Sequence, residues 1–188
     1  MLTFNFNNPF PELETAQLLL RRLDKSDALQ IIALRGDAEN MKYIPRPLVT
    51  TTEQALEHFA LIDAKIGSNE GINWAITLKA DPDKMLGIIG HYRIQPENYR
   101  SEIGYMLLRE FHGKGITTEV IRAALIYGFE VMNLHSVEAI IDPHNIGSER
   151  VLQKNGFVKE AHILENEFYD GKFIDTVIYS LLKRNFNK

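Results

Sequence analysis

The sequence contains no cysteine among its 188 residues. Disulfide bridges, thiolate zinc sites and a cysteine nucleophile are therefore excluded. Long apolar runs are also missing, since no stretch approaches the roughly 20 residues that a membrane-spanning helix needs. The first ten residues, MLTFNFNNPF, have neither the basic segment nor the small-residue cleavage site of a signal peptide. These absences favour a cytosolic protein that does not act at a membrane.

An excess of positive charge is absent as well. The chain has 21 Lys and Arg against 25 Asp and Glu, which gives a formal net charge of −4 at pH 7. No overall basic field would attract nucleic acid, and we expect no nucleic-acid partner. No group of His, Asp and Glu has metal-ligand spacing, so we expect no metal. The length favours a single domain over residues 1–188.

Hydrophobic periodicity predicts strands and helices in a mixed order. The predicted strands are 17–23, 71–79, 85–94, 101–108, 136–142, about 157–164 and 173–182, with turns at 80–84 and 169–171. The predicted helices are 24–34, 53–66, 116–132 and 146–155. Short turns make the middle three strands antiparallel, whereas the strand–helix–strand unit around residue 115 is predicted to be parallel and right-handed. The fold class is therefore α+β, with a mixed, mainly antiparallel sheet of about seven strands flanked by helices.

Three helix ends carry candidate capping residues. Asp24 or Ser26 is a candidate N-cap for the first helix. Thr50 and Glu53 have capping-box spacing before the second helix, and Thr52 is an equally good cap. Asn133 is a candidate C-cap for the third helix.

Two glycines, Gly113 and Gly115, stand on either side of Lys114 just before the third helix. The first N–H groups of a helix lack intrahelical partners, so a loop without Cβ atoms at this point is a candidate phosphate cradle. A tight structural turn is the alternative interpretation. A P-loop motif is absent. A dinucleotide fingerprint lacks its third glycine, since Thr118 stands there, but Asp142 ends the next strand where a ribose-binding acid could lie.

The segment SEIGYMLLREFHGKGITTEVIRAALIYGF, followed by NIGSERVLQKNGFV, resembles the cofactor-binding core of the GNAT N-acetyltransferase superfamily. ETAQLLLRRLDKSDA near the start and YDGKFIDTVIYSLL near the end are similar to its ribosomal-protein alpha-amino acetyltransferases. The resemblance covers roughly residues 14–183. It implies a GNAT fold in which acetyl-CoA, the cosubstrate, lies in a cleft beside a splayed central strand.

The resemblance also implies which residues hold acetyl-CoA. The backbone over 112–118 would hold the pyrophosphate, the backbone of Met106 and Leu107 would pair with the pantetheine arm, and Asn145 and Ser148 would meet that arm from the next junction. Asn145 could instead only cap the following helix. The full implied set is Met106, Leu107, Leu108, His112, Gly113, Lys114, Gly115, Ile116, Thr117, Thr118, Asn145 and Ser148.

Two positions depart from the family pattern. Glu110 stands where the motif often has Gln or Arg. Leu152 stands where many relatives have a tyrosine that donates a proton. With Leu152 in that place, we expect the thiolate to leave unassisted or to be protonated by water.

Acetyl transfer to an amine requires a group that removes a proton from the ammonium. Glu102, at the start of the strand that enters the cofactor site, is the best candidate base, and a structural carboxylate is an equal alternative. His91 and His112 are weaker candidates that are more typical of satisfied polar residues. Four aromatic residues either line the acceptor pocket or belong to the core, and segment 40–52 is expected to shape that pocket. These four are Tyr43, Trp74, Tyr92 and Phe168.

We therefore expect an acetyl-CoA-dependent N-acetyltransferase, active as a monomer or homodimer. It would act on a primary amine, either a protein N-terminus or a small amine, by direct attack in a ternary complex. A non-catalytic acyl-CoA-binding or sensor domain, favoured by Leu152, and a dinucleotide-binding domain remain as alternatives.

Overall fold

The computed structural model describes residues 2–187. Its strands are β1 (Leu13–Glu14), β2 (Leu18–Arg21), β3 (Ile72–Leu78), β4 (Asp81–Gln95), β5 (Arg100–Leu107), β6 (Ser136–Ile141), β7 (Val158–Tyr169) and β8 (Lys172–Leu182). Its helices are α1 (Ala28–Arg35), α2 (Ala38–Met41), α3 (Thr52–Gly67), α4 (Ile116–Ile126) and α5 (Ile146–Lys154). The π-helical turn Tyr127–Val131 continues α4. Within residues 2–187, no helix is long and apolar enough to cross a membrane.

The strands form one sheet in the order β1-β2-β3-β4-β5-β6-β8-β7. All neighbouring pairs are antiparallel except β5 and β6, which are parallel and joined through α4. The predicted fold class, the antiparallel middle strands and the parallel unit around the glycines are thus confirmed. The sheet has eight strands instead of about seven, because the two-residue β1 is too short to give a periodic signal.

The parallel pair is short. Strands β5 and β6 pair only over Arg100–Glu102 and Ser136–Glu138. Beyond these residues β5 continues along β4 to Leu107, while β6 continues along β8 to Ile141. The two strands therefore diverge after Glu102, and the sheet has a wedge-shaped gap in its interior.

The helix ends follow the sequence in part. Asp24 caps the 3-10 turn that leads into α1, as predicted, with a reciprocal bond to Asp27. Helix α3 is capped by Thr51, whose capping box uses Gln54, so the predictions of Thr50 with Glu53 and of Thr52 were wrong. Three consecutive threonines offer the same cap chemistry, and only the path of the backbone selects one. Asn133 adopts a left-handed φ of 54° directly after the helical segment, the conformation expected of an Asn at a helix C-terminus.

His91 lies in the core between β4 and α4. It is fully buried, with its Nδ1 2.8 Å from Ser101 Oγ and its Nε2 3.0 Å from the Ala124 carbonyl oxygen. Burial lowers the pKa of this imidazole to about 4. His91 is therefore a satisfied core residue, the structural alternative anticipated for it.

We expect His91 to make the fold acid-sensitive. The folded-state pKa of His91 lies below the unfolded value of 6.5, so the unfolded chain binds more protons. The contribution of His91 to the free energy of unfolding is therefore fully present above pH 6.5 and is lost as the pH falls towards about 4. The loss between about pH 7.5 and about pH 5 is expected to be about 2 kcal/mol for this residue. Urea unfolding of the wild type and His91→Gln at both pH values measures it. An equal pH dependence in the two proteins, or an imidazole signal titrating near its ordinary pKa, would contradict this assignment.

Candidate functional site

The loop between β5 and α4 requires glycine at two positions. Gly113 has a φ of 74° and Gly115 a φ of 81°, both in the left-handed region that other L-residues rarely adopt. A Cβ atom built on either residue would meet no atom within 4 Å. The two glycines are therefore required by the backbone angle, and they face open space instead of packed protein.

Backbone donors converge on that open space. Gly115 is the N-cap of α4 and supplies no side-chain cap. Within residues 2–187, the N–H groups of 113–118 donate to no protein acceptor. Free N–H groups at the positive end of a helix form a site for an anion, and a pyrophosphate fits it.

His112 fixes this loop to the end of β5. Its Nε2–H donates to the Leu107 carbonyl oxygen at 2.8 Å. This contact occupies one of the backbone acceptors expected to face the pantetheine arm. His112 is thus satisfied by the backbone, and its structural role is to hold the loop against the strand.

The register of β5 decides which backbone groups face the gap. Leu108 N–H donates to the carbonyl oxygen of Leu86 in β4, and successive residues of an antiparallel pair alternate between bonding and facing away. Even-numbered residues such as Met106 therefore turn their backbone groups to β4. Tyr105 and Leu107 turn theirs towards the gap. Of the two residues inferred from resemblance to pair with the arm, Leu107 turns its backbone towards the gap and Met106 does not, and Tyr105 also faces the gap.

Across the gap, α5 begins directly after β6. The Asn145 side-chain oxygen accepts the Ser148 N–H at 3.0 Å and so caps this helix. The Asn145 amide group donates to no acceptor within the described part of the chain, 2–187. The residue can therefore cap the helix and still offer a donor to a ligand in the gap.

A cavity of about 580 Å³ lies next to the point where β5 and β6 diverge. Its walls come from the segment after α1, which includes Tyr43 and Arg46, and from β6, β7 and β8. Glu102 and Arg93 line it as well. The expectation that segment 40–52 shapes a pocket agrees with this position, whereas the contribution of β7 and β8 carried no sequence signal.

A bulge in β7 shapes one wall of the cavity. Residues 164–166 of β7 oppose the single residue Asp175 of β8. Glu165 adopts a φ of 49°, and its N–H donates to Asp175 Oδ1 at 2.8 Å. The bulge brings both Asn166 and Glu167 into the cavity lining.

Glu102 sits where the strands part, and its side chain is 18% exposed. Its Oε2 lies 2.9 Å from Arg93 Nη1. Burial raises the pKa of this carboxyl group, the Arg93 guanidinium opposes that rise, and the neighbouring Glu138 adds to it. A carboxylate held in this way can accept a proton at the boundary between gap and cavity.

Of the four aromatic candidates, only Tyr43 lines the cavity. Trp74 is a core residue whose Nε1–H donates to the Pro11 carbonyl oxygen. The Tyr92 hydroxyl pairs with the Asn73 amide. Phe168 is largely exposed on β7, where it packs against Phe173. Aromatic content alone did not separate core and surface positions from the cavity.

No group of three or more His, Asp and Glu residues within 2–187 could hold a metal ion. The described side chains therefore offer no metal centre. The site consists of backbone N–H donors, the partly buried Glu102 carboxylate and a cavity lined by polar and apolar side chains.

Comparison with known proteins agrees with this geometry. Residues 17–158 match the family described as acetyltransferase (GNAT) domain. The chain belongs to the GNAT acetyltransferase family. It is 32% identical over 174 residues to an uncharacterized N-acetyltransferase, YoaA, of Bacillus subtilis strain 168, covering 93% of this chain and 98% of that protein. The predicted family and the prediction that the chain is an acetyltransferase are thus confirmed.

Solved structures show the same fold. The ribosomal L7/L12 alpha-N-protein acetyltransferase RimL in complex with coenzyme A has a TM-score of 0.82 at 20% identity, covering 92% of this chain and 98% of that chain. Spermidine N-acetyltransferase from Vibrio cholerae, in complex with CoA and spermine, has a TM-score of 0.79 at 24% identity, with 91% and 98% covered. Because the chain belongs to the GNAT family, the dinucleotide-binding alternative is wrong. Asp142, the candidate ribose-binding acid of that alternative, lines the cavity.

We expect Gly115→Ala to weaken acetyl-CoA binding at least tenfold, because its Cβ would project into the space that the free N–H groups face. Acetyl-CoA at 100 times its dissociation constant should stabilise the wild type by about 2.7 kcal/mol. Gly171→Ala is the matched control: Gly171 also has a positive φ, 75°, and nothing within 4 Å, but lies in the β7–β8 turn. Ligand-induced stabilisation that is equal in both variants would contradict the cradle.

Asn145 can be tested for both of its roles. Asn145→Ala should remove the α5 cap, costing about 1 kcal/mol, and also weaken acetyl-CoA binding. Asn145→Asp should keep the cap and weaken binding, because it loses the amide donor and adds a negative charge. Thermal unfolding and calorimetric titration measure the two effects. Wild-type affinity in Asn145→Asp would restrict the residue to capping.

Proposed function

We propose that this acetyltransferase moves the acetyl group of acetyl-CoA to a primary amine by direct attack in a ternary complex. The observation that carries the proposal is the position of Glu102. It is the last residue of β5 that pairs with β6, so it stands at the apex of the gap, and it also lines the cavity. We further propose that residues 1–188 form one such domain, because one sheet runs from Leu13 to Leu182.

The residues around the gap fit acetyl-CoA. The free N–H groups of 113–118 would hold its pyrophosphate, while the Tyr105 backbone and the Asn145 amide would hold the arm. When bound, the cosubstrate supplies a thioester, whose carbonyl carbon accepts an amine nucleophile. The 113–118 loop, strand β5 and the start of α5 would thus position the thioester beside Glu102.

Glu102 would remove the proton from the attacking amine. A buried carboxylate with a raised pKa is a better base than an ordinary one, and Arg93 keeps it ionised enough to act. The amine nitrogen forms a bond to the acetyl carbon, the carbon–sulfur bond breaks, and the electron pair leaves on sulfur. The chain has no cysteine that could carry the acetyl group in between.

The cavity favours a singly charged amine, including a peptide N-terminus, over a polyamine. Each of the four acidic side chains in its lining already has a nitrogen partner, arginine for two and histidine for two, so a second ammonium group would have to compete for a carboxylate that is already bonded. The four pairs are Glu102–Arg93, Glu167–Arg46, Asp142–His144 and Asp175–His162. Both solved relatives named above are acetyltransferases for amines, one for a protein and one for spermidine.

A release assay for free thiol tests the proposed function directly, since the protein contributes no thiol of its own. We expect turnover with short peptides that carry a free N-terminus and with simple monoamines, and lower kcat/KM with spermidine. Acetyl-CoA binding without turnover on any amine would instead support the non-catalytic domain that Leu152 favours.

We expect Glu102→Gln to lower kcat by at least about 100-fold, because a general base contributes about 10²–10⁴-fold. Two neighbours sharpen the test. Arg93→Met should raise the pKa of the acidic limb of the kcat profile, whereas Glu138→Gln should lower it, since the first residue lowers the Glu102 pKa and the second raises it. If the two substitutions do not shift the pKa of the acidic limb in opposite directions, that limb belongs to the substrate amine.

A further inference from the structure

The Tyr105 hydroxyl is a buried polar group with no partner in good hydrogen-bond geometry. Within residues 2–187 no group meets hydrogen-bond geometry with it, although buried hydroxyl groups normally have such a partner. Burial raises the pKa of this phenol to about 12, and hydrogen bonding with the Ser148 side chain opposes part of that rise, as expected when the Ser148 hydroxyl donates towards the phenol oxygen. Near neutral pH the group is therefore a protonated O–H, and with the Ser148 hydroxyl as the donor between the two it keeps its own proton for a ligand.

The position of Tyr105 indicates which part of a bound ligand its hydroxyl can reach. Tyr105 lies three residues beyond Glu102, where β5 no longer pairs with β6. Ser148 belongs to the first turn of α5, which follows β6. A side chain of β5 that reaches Ser148 must cross the gap between the diverging strands. The hydroxyl thus lies inside the gap that the proposed function assigns to the acetyl-CoA arm.

Tyr105 and Glu102 flank the same reaction space from opposite sides. Because residues of different parity on a strand point to opposite faces, the Tyr105 side chain lies on the α5 side and the Glu102 side chain on the cavity side. An amine attack needs a proton acceptor on the side where the amine arrives. It also benefits from a hydrogen-bond donor on the side where the leaving sulfur gains charge.

We propose that the Tyr105 hydroxyl donates a hydrogen bond to the sulfur of the leaving thiolate. The inference rests on the proposed function and names a second group of that site. The electron pair of the broken carbon–sulfur bond stays on sulfur, the amine proton goes to Glu102, and Tyr105 keeps its own proton. Solvent protonates the thiolate after it leaves.

Full proton transfer from Tyr105 is unfavourable. A thiol has a reference pKa of about 8.5, so moving a proton to it from a phenol with a pKa of about 12 is uphill by about three orders of magnitude. A hydrogen bond to the charged sulfur has no such cost. Leu152 cannot take this role, since its side chain is apolar and fully buried in the core.

The test is Tyr105→Phe, which removes the hydroxyl and keeps the ring. We expect kcat to fall about 10- to 100-fold, with little change in the KM for acetyl-CoA, because charge-assisted hydrogen bonds have about that strength. The variant should fold about as well as the wild type, since the hydroxyl it loses makes no hydrogen bond in good geometry. Tyr127→Phe is the matched control: burial raises its phenol pKa to about 12 as well, but it lies beyond the end of α4 against Trp74.

A second measurement separates the donor from a structural role. In the complex with CoA, the thiolate absorbance, corrected for the protein alone, reports the pKa of the bound thiol, and the cysteine-free chain contributes no thiolate of its own. We expect this pKa to rise by about one unit in Tyr105→Phe and to stay unchanged in Tyr127→Phe. An unchanged thiol pKa, or a defect confined to the KM for acetyl-CoA, would overturn the inference. Failure of the wild type to bind CoA would instead refute the proposed function.

Discussion

The divergence of two parallel strands is the constraint on which the rest of this structure depends. A strand in the interior of a sheet normally has both rows of backbone groups paired. Here β5 has a partner on one side only from Ile103 onwards, because β6 leaves with β8 after three shared residue pairs. Unpaired backbone in the middle of a protein is costly unless a ligand or water satisfies it. The divergence therefore both creates the site and calls for an occupant.

Burial acts in the same direction on three titratable groups of β4 and β5, and their surroundings give three different outcomes. His91, Glu102 and Tyr105 all have pKa values shifted towards the neutral form. His91 has two partners and stabilises the core. Glu102 has a cation that preserves part of its charge. Tyr105 has only the neighbouring Ser148 side chain, and it lies beyond the last residue pair that β5 shares with β6.

The sequence predicts much of the architecture and one side of the site. Alternation and helical periodicity located every strand except β1, and the crossover rule predicted the only parallel pair among residues 2–187. The glycine loop was found because positive φ angles and free N–H groups have a compositional signature. Three features could not be predicted. They are which residues of β5 turn their backbone groups to the gap, the choice of Thr51 as a cap, and the lining of the cavity by β7 and β8. They depend on register and on packing between segments far apart in the chain, for which one sequence provides no signal.

The bulge at residues 164–166 has an evolutionary consequence. It lies on β7, which is an edge strand and, among residues 2–187, pairs only with β8. An edge strand can gain, lose or reshape a bulge without changing the register of an outer neighbour. The wall of the cavity can therefore drift from one descendant to another while the loop at 113–118, on the far side of β5 and β6, stays constant. Under the proposed function, a fold organised in this way can diversify its acceptors on an unchanged acyl donor.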